Sequence, residues 1–385
     1  MQRLPGLDLL RAIAVVWVML FHSFLVGGLG SDWAWLSRYG WMGVDIFFVL
    51  SGFLIGRQVL APLARGERLS FGAFYARRAW RILPAFAVVL AIYVAFPVLW
   101  EADAMAPWWQ FATFTMNLLV DYTHQQVFSH AWSLCVEEHF YLVFPALAWW
   151  LTRRPSAAVF VGLCVFVVLA GIALRGGVWL HDNAIDPPRN WFVEDIYYPT
   201  WNRLDGLLMG VVLATLAVYR PQAWQRMGER GNAFALLGLG GMAVAFWLFR
   251  ERAGLLGNTI GWPVLSAAIA CLVVAGASAR SWIGRWAVPG AGWIAAISYS
   301  LYLSHKLVFR AVDNGLGEWL DGRGGVAFAV YAVATLAGGA LLHYAVERPM
   351  LTLRERRRRA GSPVLTDQPA TWFAAALQRA RNSTV

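Results

Sequence analysis

The sequence predicts an all-α fold: a polytopic membrane helix bundle of about ten transmembrane helices, with both termini cytoplasmic. Of its 385 residues, 59% are hydrophobic and 14% charged, too little charge to cover a water-facing surface. Long apolar runs recur, each able to cross the ~30 Å hydrocarbon layer with ~20 helical residues. The runs lack the period-2 alternation of barrel strands, and only helices and closed barrels satisfy every backbone polar group inside a membrane.

In chain order the expected spans are 7–28, 40–61, 82–100, 137–152, 156–174, 200–219, 232–250, 258–278, 291–312 and 325–346. Arg3 ahead of an apolar stretch resembles a secretory signal, but Arg11 interrupts that stretch and no small-residue cleavage pattern follows, so the first span is read as a retained helix. Residues 70–81 read as an amphipathic surface helix feeding the third span. Segments 101–136 and 175–199, rich in Trp, Tyr, Pro, Asn and His, cap the bundle, line an acceptor site or form an interfacial aromatic belt. The Gly238-Leu239-Gly240-Gly241 cluster has no preceding strand, so it reads as close helix packing and not as a dinucleotide loop. Residues 1–350 form the membrane unit. Residues 351–385 form a basic cytoplasmic tail, with a short helix around 371–381.

The net charge is +10, and Lys306 is the single lysine. The arginines gather in short segments between apolar runs, where they set topology, and this excludes nucleic acid as a partner. Placing the N-terminus inside puts Arg57, Arg65, Arg68, Arg77, Arg78, Arg81, Arg153, Arg154, Arg220, Arg226, Arg230, Arg280, Arg285 and the run Arg354 to Arg359 on the cytoplasmic side. Outer segments 101–136 and 313–324 hold only Arg323 between them. Cys135, Cys164 and Cys271 are too dispersed for a disulfide framework or a zinc site, and no metal-ligand spacing occurs elsewhere.

Ionisable groups within spans are the informative residues, because each costs several kcal/mol, ~2.5–3.5 on insertion scales. Arg11 and His22 lie eleven residues apart on the first helix, which brings them within about 20° of one face and some 16 Å apart along it. Asp45, a few residues into the second span, should lie at about the depth of His22. A carboxylate on one ring nitrogen would fix the tautomer and raise the basicity of the other, as a general base requires; the alternative is that Asp45 only satisfies a buried polar histidine. Glu137 and Glu138 open the fourth span, either as helix-capping acids or as catalytic carboxylates. Arg203 and Asp205 read as a structural pair, and His305 as a packed polar group beside Tyr299 and Tyr302. Arg77, Arg78 and Arg81 suit the phosphates of a cofactor on the inner surface, and equally suit topology or anionic lipid.

Taken together, the motifs resemble the acyltransferase 3 family of bacterial integral-membrane O-acyltransferases. They run from Leu7-Asp8 through Arg11 to His22, then Gly43-Val44-Asp45-Ile46-Phe47-Phe48-Val49-Leu50-Ser51-Gly52-Phe53-Leu54-Ile55 and Arg77-Arg78-Ala79-Trp80-Arg81-Ile82-Leu83-Pro84. Next come Trp132-Ser133-Leu134-Cys135-Val136-Glu137-Glu138-His139-Phe140-Tyr141-Leu142 and Arg203-Leu204-Asp205. Tyr299-Ser300-Leu301-Tyr302-Leu303-Ser304-His305 and Glu347-Arg348-Pro349 complete the set. Their order covers about residues 4–350. Cys135 and His139 depart from the usual small residue and glutamine.

The resemblance implies transfer of an acyl group, usually acetyl, from a cytoplasmic coenzyme A thioester to a hydroxyl of a cell-surface glycan or lipid-linked glycan, in the bacterial inner membrane and without a metal. It makes His22 the catalytic histidine and Arg11 its companion, and assigns Arg77, Arg78 and Arg81 to the cofactor end and Glu137 to the more regular family glutamate. Asp45 or Glu137 would support His22. No extracytoplasmic hydrolase-like domain stands in these 385 residues, so the membrane unit is expected to act alone or with a partner. A transporter or flippase of acyl donor or glycolipid is the alternative, but its paired Gly/Pro-broken helices are not evident. A sensor or scaffold would leave Arg11, His22 and Asp45 without a purpose.

Overall fold

The computed structural model describes residues 4–360, and the expected helix around 371–381 lies outside them. Every apolar run is helical: α1 (Pro5–His22), α2 (Gly43–Ala64), α3 (Phe71–Ala95), α4 (Trp132–Arg153), α5 (Ala157–Ile185), α6 (Leu204–Tyr219), α7 (Gly231–Leu248), α8 (Trp262–Ala277), α9 (Ala291–Leu320), α10 (Gly325–Leu342) and α11 (Arg348–Ala360). Among the described residues there is no strand beyond an isolated bridge between Met105 and Val127. The chain is an all-α polytopic membrane bundle.

Seven described helices are long and apolar enough to cross a membrane by themselves. The number is eight if Leu204–Tyr219 and Pro221–Glu229, bent by 110°, form one broken span. The difference from ten has a physical cause. Both α4 and α9 carry several charged side chains, including Glu137 and Glu138 on the first and Lys306, Arg310 and Asp313 on the second. Lys306 is buried against Glu101 and Ser129, and Glu137 accepts from Ser51 and Tyr141, so the most enclosed of these charges have partners within the bundle.

Several boundaries depart from expectation. The surface helix and the third span are one continuous helix, α3, whose N-cap Ser70 accepts from the Ala73 amide at 3.3 Å. In α5 the helix runs past Arg175, which is fully buried against Asp205 at 2.8 Å, so the charge does not end the span. The start of α4 is Trp132, placing Glu137 in its second turn with no acid in the first; the helix-capping reading of Glu137 fails. The first residues of the basic segment 351–385 are helical, since α11 runs to Ala360 and packs on α3.

Packing centres on α1, α2, α6 and α9, with α2 against α6 the most extensive pairing and α1 wedged against α9. The α2–α6 seam closes to backbone contact at Gly52 and Gly210, where an added Cβ would strike the Leu207 and Val49 carbonyl oxygens. A layer of ion pairs locks the outer half. Arg203 bonds Asp45 at 2.8 Å, with its guanidinium 3.7 Å from the Trp262 ring centre, and Arg175 bonds Asp205. Arg203 and Asp205 therefore do not pair with each other as expected.

The outer segments pack as a cap. Asn117 is buried and donates to the Tyr198 carbonyl and Thr200 Oγ1 at 3.2 and 2.8 Å, and Glu194 accepts from the Tyr122 and Thr123 amides. Phe128 stacks between Tyr93 and Phe111. In this cap, burial pushes the Asp195 carboxyl up, while Arg189 at 2.6 Å opposes the shift.

Candidate active site

An arginine-lined cavity of ≈ 340 Å³ runs between α1, α2, α3, α4 and α9. Its lining on α2 extends from Val44 to Gln58, about 21 Å at 1.5 Å rise per residue, so it connects inner and outer depths of the bundle. Four cations line it: Arg11 from α1, Arg78 and Arg81 from α3, and Arg354 from α11. Nε of Arg11 and Nε of Arg78 are buried and have no hydrogen-bond partner among the described residues. Such buried donors call for an acceptor from elsewhere. Arg81 lies 3.8 Å from Glu347, whose other oxygen accepts from Ser300 at 2.8 Å, so the Glu-Arg-Pro motif anchors the wall.

Glu137 faces the same space. Ser51 donates to one of its oxygens at 2.9 Å and Tyr141, one turn further along α4, to the other at 2.6 Å. Arg77, on the same stretch as Arg78 and Arg81, is exposed and outside the lining, because a 100° step per residue turns it away from them. The expected cofactor cluster is thus divided, with Arg354 completing the set in place of Arg77.

His22 ends α1 above this cavity, half-buried. It does not meet Asp45, whose Oδ1 is taken by Arg203 and whose Oδ2 has no hydrogen-bond partner among the described residues. Asp45 is also outside the cavity lining. The expected His22–carboxylate contact is replaced by a histidine: His22 Nδ1 and His305 Nε2 are 2.9 Å apart. His130 joins them, its ring centre 4.8 Å from His305 and 6.2 Å from His22. Beside them, Lys306 reaches Ser129 Oγ at 2.9 Å and Glu101 Oε1 at 3.4 Å.

The cavity stops at Tyr302 and Ser133. Tyr302 lies one helical turn before His305, and its ring centre is 5.5 Å from that of His130. One layer of side chain therefore separates the arginine cavity from the histidines. A larger cavity of ≈ 1040 Å³ lies between α1, α9 and α10, but its charged lining residues are Asp313 and Asp321, so it offers no cationic side chain to a phosphate. No group of three His, Cys, Asp or Glu side chains able to hold a metal occurs among the described residues.

Sequence reasoning passed over His130, in an outer segment, and treated His305 as packing. The signal available was the Tyr299 to His305 motif itself, which sets an aromatic and an imidazole one turn apart on an intramembrane helix. Arg354 gave no signal, because it sits in a run of arginines with an obvious topological role.

Comparisons with known proteins bear on the family of the chain. The chain is 30% identical over 265 residues to "O-acetyltransferase OatA" of Staphylococcus aureus (strain NCTC 8325 / PS 47), an alignment covering 64% of this chain and 40% of that protein. It is 27% identical over 343 residues to "Putative O-acetyltransferase SACOL0978" of Staphylococcus aureus (strain COL), covering 84% of this chain and 53% of that protein. The chain thus spans about half or less of the length of these relatives. No solved structure matches it. The family model described as "Acyltransferase domain" matches residues 4–344, and with that coverage the chain belongs to the acyltransferase 3 family of membrane O-acyltransferases.

Proposed function

We propose that this enzyme moves an acetyl group from cytoplasmic acetyl-CoA to a hydroxyl of an envelope glycan or lipid-linked glycan, as a multi-pass protein of the bacterial inner membrane. The observation that carries this reading is the single cavity that gathers Arg11, Arg78, Arg81 and Arg354 and ends at Tyr302, whose ring neighbours His130 and His305, the latter bonded to His22. Guanidinium forks match phosphate oxygens, and the donor carries several phosphates at one end and the thioester at the other. Arg78, Arg81 and Arg354 hold the phosphate end. Arg11 lies deeper, about 16 Å along α1 from His22, within reach of the thioester arm.

The reaction then needs one proton acceptor. His22 Nε2 takes the acceptor hydroxyl proton as the oxygen attacks the thioester carbonyl carbon. The new C–O bond forms, the C–S bond breaks, and coenzyme A leaves as a thiolate that recovers the proton from the His22 imidazolium. Glu137, held by Ser51 and Tyr141, lies in the donor path and does not touch His22; its role in this reading is to orient Arg11 or the arm. Asp45 holds Arg203 and keeps the outer half of α2 against α6 and α8.

The test is transfer in purified, detergent-solubilised protein supplied with radiolabelled acetyl-CoA and a soluble glycan acceptor. Labelled ester is expected with the natural chain and none above background with His22→Ala at unchanged thermal stability. Undiminished transfer by His22→Ala would overturn the assignment, and movement of glycolipid across proteoliposomes with no ester formed would favour the flippase instead.

A further inference from the structure

We propose that His305 is a positioning residue that fixes the tautomer of His22, relaying the main-chain carbonyl of Tyr302 so that the His22 proton sits on Nδ1 and Nε2 is left bare. The inference rests on the reading of His22 as the proton acceptor.

The assignment follows from which atoms are able to donate. His305 Nδ1 is 2.7 Å from the Tyr302 carbonyl oxygen, and a carbonyl only accepts, so the proton of His305 is on Nδ1. A neutral imidazole has one N–H, which makes His305 Nε2 an acceptor. The group 2.9 Å from that nitrogen is His22 Nδ1, which must therefore donate. In neutral His22 the remaining nitrogen, Nε2, carries the lone pair.

Nothing else nearby does this work. His130, at the same junction, has its Nε2 3.2 Å from the Leu303 carbonyl, so its proton is committed there. Asp45 is committed to Arg203. Lys306 is committed to Ser129 and Glu101 and has only protons to offer. His305 is itself immobilised, fully buried, with its ring against His130 and Phe309. A main-chain carbonyl reached through a neutral ring orients the base without a second carboxylate at this depth. An extra buried charge is the more expensive solution, because each one needs its own partner.

The first test is ¹⁵N NMR of the full-length, histidine-labelled protein, with His22→Ala identifying the His22 signals. Protonated Nδ1 and bare Nε2 on His22 are expected, and the opposite tautomer overturns the proposal. The second test is kinetic. His305→Leu is expected to lower kcat by about 100-fold or more with KM for acetyl-CoA unchanged, as loss of tautomer control does in a Ser-His-Asp triad. His305→Gln, whose amide oxygen can accept near the Nε2 position, is expected to recover at least about tenfold of that loss. A His305→Leu enzyme with natural kcat overturns the proposal while leaving the acyltransfer reading intact. Transfer that survives His22→Ala sinks the acyltransfer role of His22 whatever the tautomer.

Discussion

Ser133 Oγ and Tyr302 OH stand 2.6 Å apart, and this bond ties α4 to α9 where the arginine cavity ends below the histidines. Tyr302 OH also bonds the His130 carbonyl at 2.9 Å. The latch thus touches the cavity on one side and the histidine cluster on the other. In the proposed reaction, an acyl group entering through the arginine cavity meets this pair before it meets His22.

Filling that passage should separate donor binding from chemistry. Ser133→Leu replaces the hydroxyl that bonds Tyr302 with an isopropyl group at a position that is buried already. Calorimetry should find coenzyme A affinity within about threefold of the natural protein, because the arginines proposed to hold its phosphates are untouched. Labelled acetyl transfer should fall by more than about tenfold, since misplaced reacting groups lose the advantage of proximity.

The arginines should not be equivalent. Arg78→Ala, Arg81→Ala and Arg354→Ala each remove a guanidinium from the cavity, and a hydrogen bond to a charged group is worth about 1.5–3 kcal/mol, or roughly 10–100-fold in Kd for coenzyme A. Arg77→Ala removes an exposed cation outside the lining and should leave Kd within about twofold. Isothermal titration of the four variants orders them, and a loss with Arg77→Ala matching that of Arg354→Ala would contradict the division.

Asp45 offers a clean distinction between support of His22 and support of the fold. Asp45→Ala leaves the Arg203 guanidinium buried without its carboxylate and should cost about 3–5 kcal/mol. Replacing both partners, Asp45→Leu with Arg203→Met, should recover most of the thermal stability and, with it, transfer activity per folded molecule. A stable but inactive double variant would return Asp45 to the chemistry.

Close helix approach restricts what the α2–α6 seam can accept. Gly210→Ala places a methyl group against the Val49 carbonyl and the Phe53 amide, backbone atoms that no rotamer change removes, and should destabilise by about 1–3 kcal/mol in thermal unfolding. Gly240→Ala has nothing within 4 Å of the new Cβ and should be neutral or slightly stabilising, since Ala is the better helix former.

The helices were legible because hydropathy and backbone satisfaction are local: each run announces itself within its own twenty residues, and helical geometry alone set Arg11 and His22 on one face of α1. Charge within a run misled where its partner was distant. Arg175 read as the edge of an outer segment, yet Asp205 makes it an interior residue of α5. Family resemblance singled out His22, Arg11, Arg77, Arg78 and Arg81, but it did not carry which of them share a cavity or who touches whom.

Composition, apolar run length and arginine placement by themselves determined that this chain is a bundle of membrane helices with ionisable groups in its interior. The tertiary structure alone decided the partners: Asp45 on Arg203, 158 residues away, and His22 on His305, 283 residues away. The reason is that a helix fixes only which of its own residues share a face. Hydrogen bonds across the bundle depend on the rotation and depth of each neighbour, which are set by backbone contacts such as Gly52 against Leu207 that leave no mark in the pattern of either helix alone.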